Sequence, residues 1–461
     1  MRASTRIPYV LLFVLFVGMT SSTTRTAVQS AAWLDSYRDV AHRLIGESMS
    51  TTFAWDRLAV LGDTFGHRLS GSDALEKAIA WAADEMRKDG LEGVRTEPVK
   101  VPHWVRGRES LEIVAPHRSS LAMLGLGNSV GTPPDGIEAD VVVVRSFADL
   151  DASAPRVKGK IVLFNVPFTT YGETVAYRTS GPSRAAARGA VAMLVRAVGP
   201  PGLRTPHTGV LTYVEGEPRI PAAAIATEDA DRLQRMQNRG TKVRLRLKMD
   251  AKMLPDADSA NVVAEIRGSE RPDEVVVVGG HFDSWDVGTG SSDDGGGCVV
   301  TWEALRLMRK LNLRPRRTVR VVLFTNEENG LAGGRAYLAR YRSQLANHVL
   351  MLESDSGVIR PTGFGFSGSM AARATMQQIA TLLQPIGADK IGPSGGGADI
   401  GPSVEAGGIP SMSLEVDGNY FLIHHTEADT IDKIDPADMA KAAAAVAIVA
   451  YVVADMPERL R

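Results

Sequence analysis

A run of four valines, residues 275–278, is the feature that most constrains the fold of this chain. The run ends at a Gly-Gly pair, and the loop that follows carries His281, Asp283, Asp293 and Asp294. An apolar run bounded by glycines is typical of a central strand in a parallel sheet. In open α/β sheets, ligands collect just beyond the carboxyl ends of such strands, so these side chains are candidates for a metal site.

Length, charge and cysteine content limit the class of protein. A chain of 461 residues with 44% apolar residues is too long for one ordinary domain and can bury a large core. Its formal net charge of -1 gives no electrostatic reason to expect nucleic acid or an anionic membrane as a partner. Cys298 is the only cysteine, so no intramolecular disulfide can form and a zinc site must use His and carboxylates.

The first 32 residues have the order of a secretory signal. Arg2 and Arg6 precede an apolar run over residues 7–19, and small and polar residues follow. The run is shorter than the ~20 apolar residues of a membrane-spanning helix. We therefore expect residues 1–32 to be a signal peptide of a secreted or periplasmic protein without stable membrane association. An uncleaved anchor is the alternative.

The rest of the chain divides into a discontinuous domain and an insertion. Prolines and glycines near residue 133 mark a boundary, so we expect one domain over residues 33–135 and 251–461, interrupted by a unit over residues 136–250. In that unit His207 stands alone, and we expect it to be solvated and the unit to be non-catalytic. We expect the loop over residues 67–72 to be a structural linker, with an approach to the active site as the alternative.

Strands and helices alternate after residue 261. Apolar runs predict strands at 261–266, 275–278, 318–324, 348–352 and 411–414. Helical patterns lie at 297–310, 333–341, 371–383 and 436–454. This alternation predicts an α/β fold with a mostly parallel, doubly wound sheet.

Four of these strands are followed by His or acidic residues. The sets are His281, Asp283 and Asp293 after the first strand, Glu327 and Glu328 after the second, Asp355 after the third, and His425 after the fourth. A single loop Asp usually forms a turn and a single loop His is usually solvated. Four sets at one edge of one sheet instead indicate a metal centre.

The number of ligands indicates two ions. Asp293 would bridge them, with His281 and Asp355 completing one site and Glu328 and His425 the other. His and carboxylate ligands suit Zn²⁺. Asp283 is placed to accept the second ring N–H of His281. Glu327 keeps a free carboxylate, as a general base requires.

Four segments carry a family resemblance: GGHFDSWDVGTGSSDDGGG, FTNEENGLAG, ESDSG and HHTEADT. They resemble the zinc-dependent family of aminopeptidases, glutamate carboxypeptidases and carboxypeptidase Q, and are most similar to the last branch. The resemblance implies a zinc exopeptidase fold with an inserted protease-associated domain, a cis bond between Asp293 and Asp294, and a homodimer. It also implies two Zn²⁺ ions per subunit. The implied ligands are His281, Asp293, Glu328, Asp355 and His425, with Glu327 as the base and His424 outside the ligand set.

We therefore expect a secreted two-zinc exopeptidase that hydrolyses short peptides, most simply dipeptides with a free C-terminus. An aminopeptidase of the same family is the first alternative. The second is a binding protein on a peptidase scaffold, which predicts missing ligands. The glycine-rich loop over residues 394–402 makes Asp399 a candidate neighbour of the site, with a flexible loop as the alternative.

Overall fold

The computed structural model describes residues 32–418 and 420–460, so the expected signal peptide lies almost wholly outside the described residues. The strands, numbered in chain order, are β1 (Glu92–Val105), β2 (Glu109–Ala115), β3 (Ser119–Leu121), β4 (Met123–Gly125), β5 (Ile137–Val144), β6 (Ile161–Phe164), β7 (Ala192–Arg196), β8 (Ala222–Ile225), β9 (Arg244–Met249), β10 (Lys252–Ile266), β11 (Arg271–His281), β12 (Arg317–Phe324), β13 (His348–Glu353), β14 (Pro361–Ser367), β15 (Lys390–Gly392) and β16 (Ser411–Val416).

The helices pack around these strands. They are α1 (Asp35–Met49), α2 (Phe53–Phe65), α3 (Asp73–Lys88), α4 (Phe147–Ala152), α5 (Ala154–Val157), α6 (Tyr171–Thr179), α7 (Gly181–Ala186), α8 (Thr227–Asn238), α9 (Gly296–Lys310), α10 (Ala332–Tyr341), α11 (Met370–Ala380), α12 (Gly401–Gly407), α13 (Tyr420–Ile423) and α14 (Pro436–Asp455). Short 3-10 helices span Ala32–Leu34, Arg342–Asn347, Thr381–Ile386 and Ile431–Lys433.

The first sheet confirms the predicted α/β class. Its strand order is β1-β10-β12-β11-β13-β16-β14-β15. The central strands β12, β11, β13 and β16 run parallel, while β10 and β14 join them antiparallel. Val276 and Val278 of β11 pack into the core beneath α9 and α14, and Val275 and Val277 pack into the core beneath α10. The valine run is therefore buried on both faces, as its composition predicts.

A second eight-stranded sheet has the order β3-β2-β9-β5-β6-β7-β8-β4. The expected boundary at residue 136 cuts through it, because β2, β3 and β4 precede that residue. Leu111 of β2 pairs with Leu247 of β9, and Ile113 pairs with Leu245, so burial of these apolar pairs holds β2 in this sheet. The Pro/Gly segment that suggested the boundary is a loop within the sheet.

Two long strands connect the sheets. β1 and β10 lie antiparallel from Glu92 opposite Glu265 to Val105 opposite Lys252. The chain thus leaves the first sheet at Val105 and returns at Lys252, which places the insertion, by sheet membership, between these two residues. That this unit is a separate domain stays a prediction.

The C-terminal helix α14 is apolar along its length. It has a mean hydropathy of 1.7, and within the described part of the chain it is the one helix long and apolar enough to cross a membrane. However, 78% of this stretch is buried inside the fold, where the helix packs against α9, α1 and α2. Its composition is therefore that of a core helix in this structure.

Candidate metal centre

The four predicted strand exits meet at one edge of the first sheet. His281 ends β11, Glu328 follows β12, Asp355 follows β13, and His425 lies in the segment after β16. Since these strands are parallel neighbours, their carboxyl ends face the same side. The structure therefore brings together the residues that the sequence placed in separate loops.

Asp293 lies between two groups of side chains. On one side His281 Nε2 lies 3.3 Å from Asp293 Oδ1 and 3.3 Å from Asp355 Oδ1. On the other side His425 Nε2 lies 3.2 Å from Asp293 Oδ2 and 3.1 Å from Glu328 Oε2. Each oxygen of the Asp293 carboxylate thus faces a different group.

These side chains fit metal ions in both spacing and chemistry. Two ligand atoms about 2.1 Å from one tetrahedral ion are separated by roughly 3.4 Å, which is close to the observed distances. His281 Nε2 and Asp293 Oδ2 are buried and have no hydrogen-bond partner. Imidazole nitrogens and carboxylate oxygens without thiolates suit Zn²⁺. These imidazole nitrogens and carboxylate oxygens are therefore arranged to bind metal cations.

The charged forms of the buried carboxyl groups around the site would be stabilised by a nearby positive charge. Burial, together with the neighbouring charges of Asp293 and Asp355 respectively, raises the pKa of Glu328 and of Glu353 to about 7. Burial also acts to raise the pKa of Asp293, but the neighbouring rings of His281 and His425 hold it well below its usual range. A bound dication would favour the charged form of all these groups.

The structure separates the two adjacent histidines. The His425 ring contacts both Asp293 and Glu328, whereas His424 Nε2 lies 3.6 Å from Asp293 Oδ2. The rings stack with centroids 3.5 Å apart. Asp293, His424 and His425 form one group that could hold a metal ion, so the assignment of His425 as the ligand and His424 as its neighbour stays a prediction.

Comparison with known proteins identifies the family. Residues 261–450 match the model described as Peptidase family M28. Carboxypeptidase Q of Xenopus laevis is 48% identical over 431 residues, which is 93% of this chain and 92% of that protein. The chain belongs to peptidase family M28.

Solved structures agree with this family. The Peptidase M28 precursor from Shewanella amazonensis SB2B superposes with a TM-score of 0.87 at 35% identity, over 93% of this chain and 98% of that one. BSAP, a zinc aminopeptidase from Bacillus subtilis, has a TM-score of 0.66 at 21% identity, over 88% of this chain and 96% of that one. The second likeness is one of fold. As a member of family M28 the chain is a metallopeptidase.

Asp283 of this M28 peptidase orients the site differently from the sequence-based expectation. His281 Nδ1 lies 2.9 Å from the backbone carbonyl of Asp283, whereas the Asp283 carboxylate is 3.9 Å away. The carboxylate instead accepts hydrogen bonds from the backbone N–H groups of Glu327 at 3.0 Å and Glu328 at 3.3 Å. The expectation that the carboxylate holds the His281 ring was wrong, because the backbone carbonyl is closer.

The cis peptide bond expected between Asp293 and Asp294 is present. The Asp294 carboxylate accepts the backbone N–H groups of His281 and Gly297, each at 3.1 Å. A Cβ atom at Gly297 would lie 1.9 Å from the carbonyl oxygen of Ser354, so only glycine lets α9 begin this close to β13. The glycines after the paired aspartates thus allow α9 to pack closely against the end of β13.

Glu327 lies on the wall of a cavity of about 500 Å³ that also exposes Asp293 and Asp355. Burial raises the pKa of Glu327 well above its usual range, and the nearby Asp355 adds to this. The Glu327 carboxylate has no protein hydrogen-bond donor among the described contacts. It is therefore available to exchange a proton with a molecule in the cavity.

The second sheet's unit forms the opposite wall of the same cavity. It contributes Asn128, Tyr171, Arg178, Val210 and Thr212. Arg178 is the one Lys or Arg side chain in this lining, and it is 3% exposed. The groups of at least three His, Cys, Asp or Glu residues that the described structure offers for a metal all lie in the first sheet's segments.

Two loop expectations were wrong. The loop over residues 67–72 reaches the site, where Ser70 Oγ donates to the Asp283 carboxylate at 3.3 Å and accepts from Asn326 at 3.0 Å. His207 is not solvated but 2% exposed, and burial lowers its pKa to about 4. Ser70 and Asp283 are 213 residues apart in sequence, and the His424 backbone near His207 is similarly distant in sequence.

Asp429 is a site residue that sequence reasoning did not single out. Its carboxylate accepts the backbone N–H groups of Ser292 at 2.7 Å and Asp293 at 3.1 Å. Burial and the charge of Asp293 raise its pKa to about 7. Its position in HHTEADT was the available signal.

Asp399 lies in an anchored loop rather than a flexible one. The Glu353 carboxylate accepts the backbone N–H groups of Ile400 at 2.9 Å and Asp399 at 3.4 Å. Asp399 is 1% exposed, and burial together with the charge of Glu353 raises its pKa well above its usual range. The loop therefore packs behind Asp355, next to the metal centre.

Proposed function

We propose that this M28 peptidase is an exopeptidase with two co-catalytic zinc ions that hydrolyses short peptides with a free C-terminus. The single observation that carries the two-ion proposal is the position of Asp293, whose two oxygens face two separate donor groups. Zinc in the Bacillus subtilis relative and the absence of thiolates from the donor set support the choice of metal.

The proposed ligands are His281 and Asp355 for one ion, Glu328 and His425 for the other, and Asp293 for both. When bound, the ions supply Lewis-acid catalysis that polarises the scissile carbonyl and lowers the pKa of water. Glu327 takes the proton of the attacking water and passes it to the nitrogen of the leaving amine. Asp283 holds the backbone of both glutamates through the two N–H groups that its carboxylate accepts.

Arg178 favours a carboxypeptidase over the alternative aminopeptidase. Described residues include no carboxylate within ion-pair distance of its guanidinium, although the side chain is almost fully buried. Its Nη2 donates to Tyr171 Oη at 2.8 Å, which leaves the Tyr171 O–H free to donate into the cavity. A guanidinium and a phenol together form a receptor for a carboxylate. A substrate C-terminus placed there would be near His425.

Three related substrates test this proposal on purified protein with a measured zinc content. A free dipeptide should be hydrolysed, its N-acetylated form should remain a substrate, and its C-terminal amide should be hydrolysed much more slowly. Arg178→Gln should raise KM for the free dipeptide and have less effect on the amide. Equal turnover of the dipeptide and its amide, with no hydrolysis of the N-acetylated dipeptide, would establish aminopeptidase activity instead.

We also propose export, a mature chain without residues 1–32, and a homodimer. The support for export is the pattern of Arg2, Arg6 and residues 7–19, and support for the dimer is the likeness to carboxypeptidase Q. N-terminal sequencing of protein recovered outside the cytoplasm tests the first two proposals, and an intact Met1 there would reject cleavage. Light scattering of the same material tests the dimer.

A further inference from the structure

His425 has an unfavourable backbone conformation. Its φ is 61°, in the left-handed region that side chains with a Cβ atom rarely adopt. Such a conformation persists only where the surroundings hold it. The contacts that hold His425 therefore bear on the metal centre, because the orientation of its ring follows from its backbone.

Thr208, from the second sheet's unit, makes reciprocal contacts with His425. The Thr208 N–H donates to the His425 carbonyl at 3.0 Å, and His425 Nδ1 lies 3.3 Å from the Thr208 carbonyl. A carbonyl can only accept, whereas Arg178 Nη1, which lies 3.5 Å from the same ring nitrogen, can only donate. Because the carbonyl is the nearer of the two partners, we assign the ring proton to Nδ1. The lone pair of Nε2 is then free on the side of Asp293 and Glu328.

Thr208 is itself fixed by a buried polar network. Its Oγ1 donates to the Gly125 carbonyl at 2.7 Å and accepts from Arg106 Nη2 at 3.3 Å. Arg106 forms a bidentate ion pair with Asp286, at 2.5 and 2.8 Å, and Asp286 belongs to the loop that follows β11. The network thus connects the second sheet's unit to the loop that carries Asp293.

A second contact supports the same segment. The His207 ring is buried, and burial lowers its pKa to about 4 while the nearby His424 backbone acts to raise it. It fits against Gly199, where a Cβ atom would lie 2.3 Å from the ring. Thr208 therefore bonds the backbone of His425, and its neighbour His207 lies near the backbone of His424.

We propose that Thr208 is a positioning residue that holds His425 in the backbone conformation and ring tautomer required of a zinc ligand. The inserted unit then does more than shape access to the cavity, since it orients a ligand of the site without supplying one. This inference rests on the proposed function, because it takes His425 as a ligand.

Thr208→Val tests the inference, because valine keeps the shape but removes the anchoring hydroxyl. Loss of an interaction that orients a ligand typically weakens metal affinity about 10–100-fold, so we expect one of the two zinc dissociation constants to rise by that factor. Thr208→Ser keeps the hydroxyl and should restore wild-type affinity. Competition with a chromophoric chelator measures both constants.

Thr318→Val is the matched control. Thr318 is also buried, and its hydroxyl donates to the Pro272 carbonyl at 2.7 Å and accepts the Gly268 N–H at 3.1 Å. It lies at the opposite end of β12 from Glu328. Thr318→Val should therefore lose stability while both zinc affinities stay at wild-type values. Unchanged zinc affinity in Thr208→Val, or an equal loss in Thr318→Val, would overturn the inference.

Hydrogen exchange of the wild-type protein gives a test that needs no variant. If Thr208 stabilises bound zinc, zinc must stabilise the contacts of Thr208 by the same free energy. Removing zinc should therefore speed amide exchange in a peptide that covers residues 207–212 more than in peptides from β6 or β7. Equal exchange with and without zinc would overturn the inference. A wild-type zinc content below two per chain would instead overturn the proposed function, and the inference with it.

Discussion

The Asp283 carboxylate accepts the backbone N–H of Glu327 at 3.0 Å, although 44 residues separate them in sequence. It also accepts the N–H of Glu328 at 3.3 Å. Asp283 thereby fixes the backbone from which the proposed base and a proposed zinc ligand both project. Four testable predictions follow from the contacts of the site and its surroundings.

We expect Asp283→Asn to impair catalysis without unfolding the protein. An Asn side chain offers one carbonyl oxygen in place of two carboxylate oxygens, so one of the two N–H groups would face an NH₂ group. Groups that orient metal-site residues contribute about 10–100-fold to activity or metal affinity, and we expect a loss of kcat in that range. Ser70→Ala, which removes one donor to Asp283 and the acceptor of Asn326 but leaves both carboxylate oxygens in place, is the control and should have a smaller effect. Wild-type kcat in Asp283→Asn would contradict this role.

Glu327 and Glu328 should differ in their response to the same substitution. Glu327→Gln removes the proposed base, so kcat should fall by roughly 10²–10⁴-fold while zinc content and KM change little. Glu328→Gln should weaken one zinc ion, and added zinc should restore part of the activity. Zinc stoichiometry and kcat measured for both variants test this division. Metal loss from Glu327→Gln with retention by Glu328→Gln would reverse the assignment.

Arg68→Lys should destabilise the fold. The Arg68 guanidinium is fully buried and donates to the carbonyls of Phe282, Gly66, Thr289 and Gly290. A lysine has three N–H donors for these four carbonyls, so at least one carbonyl stays unsatisfied, and we expect a loss of roughly 1–3 kcal/mol or more. Arg87→Lys alters an exposed pair with Asp84 and is the control. Urea unfolding measures both variants, and equal stability of the two would reject the prediction.

Stability should fall on acidification because of His348. This ring is buried, its Nδ1 lies 3.1 Å from the Gln344 carbonyl, and burial lowers its pKa from 6.5 to about 4. Between pH 6.5 and about pH 4 the His348 ring binds a proton in the unfolded chain but not in the folded chain. The stability contributed by the neutral ring is therefore fully present above pH 6.5 and is lost as the pH falls towards 4. It amounts to roughly 3 kcal/mol.

His348→Gln should therefore reduce the slope of unfolding free energy against pH between pH 6.5 and 5. Urea unfolding at several pH values measures that slope. The variant should keep a smaller slope of unfolding free energy against pH, because His207, whose pKa burial also lowers to about 4, is still present. A slope identical to that of the wild type would show that His348 does not titrate in this way.

The sequence alone determined the class of fold and predicted which residues would meet at one edge of the first sheet. The valine run at 275–278 and the alternation after residue 261 depend on local periodicity, which a linear sequence records directly. Parallel strands place their carboxyl ends at one edge, so His281, Glu328, Asp355 and His425 could be grouped without coordinates. The strands missed in this region were β14 and the three-residue β15, which are glycine-rich or too short to produce a pattern, and the short helices α12 and α13 were missed as well.

Only the tertiary structure decided how these residues are held. The contact of His425 with Thr208 spans 217 residues, and that of Ser70 with Asp283 spans 213. The side chain of Asp283 was assigned to His281 because it lies two residues away, but folding placed the backbone N–H groups of Glu327 and Glu328 nearer. Likewise, β2 pairs with β9, a strand that lies more than 100 residues later, so the second sheet extends across the expected boundary at residue 136. Such partners are selected by burial of hydrogen-bonding groups and apolar surface in three dimensions, and no local pattern encodes them.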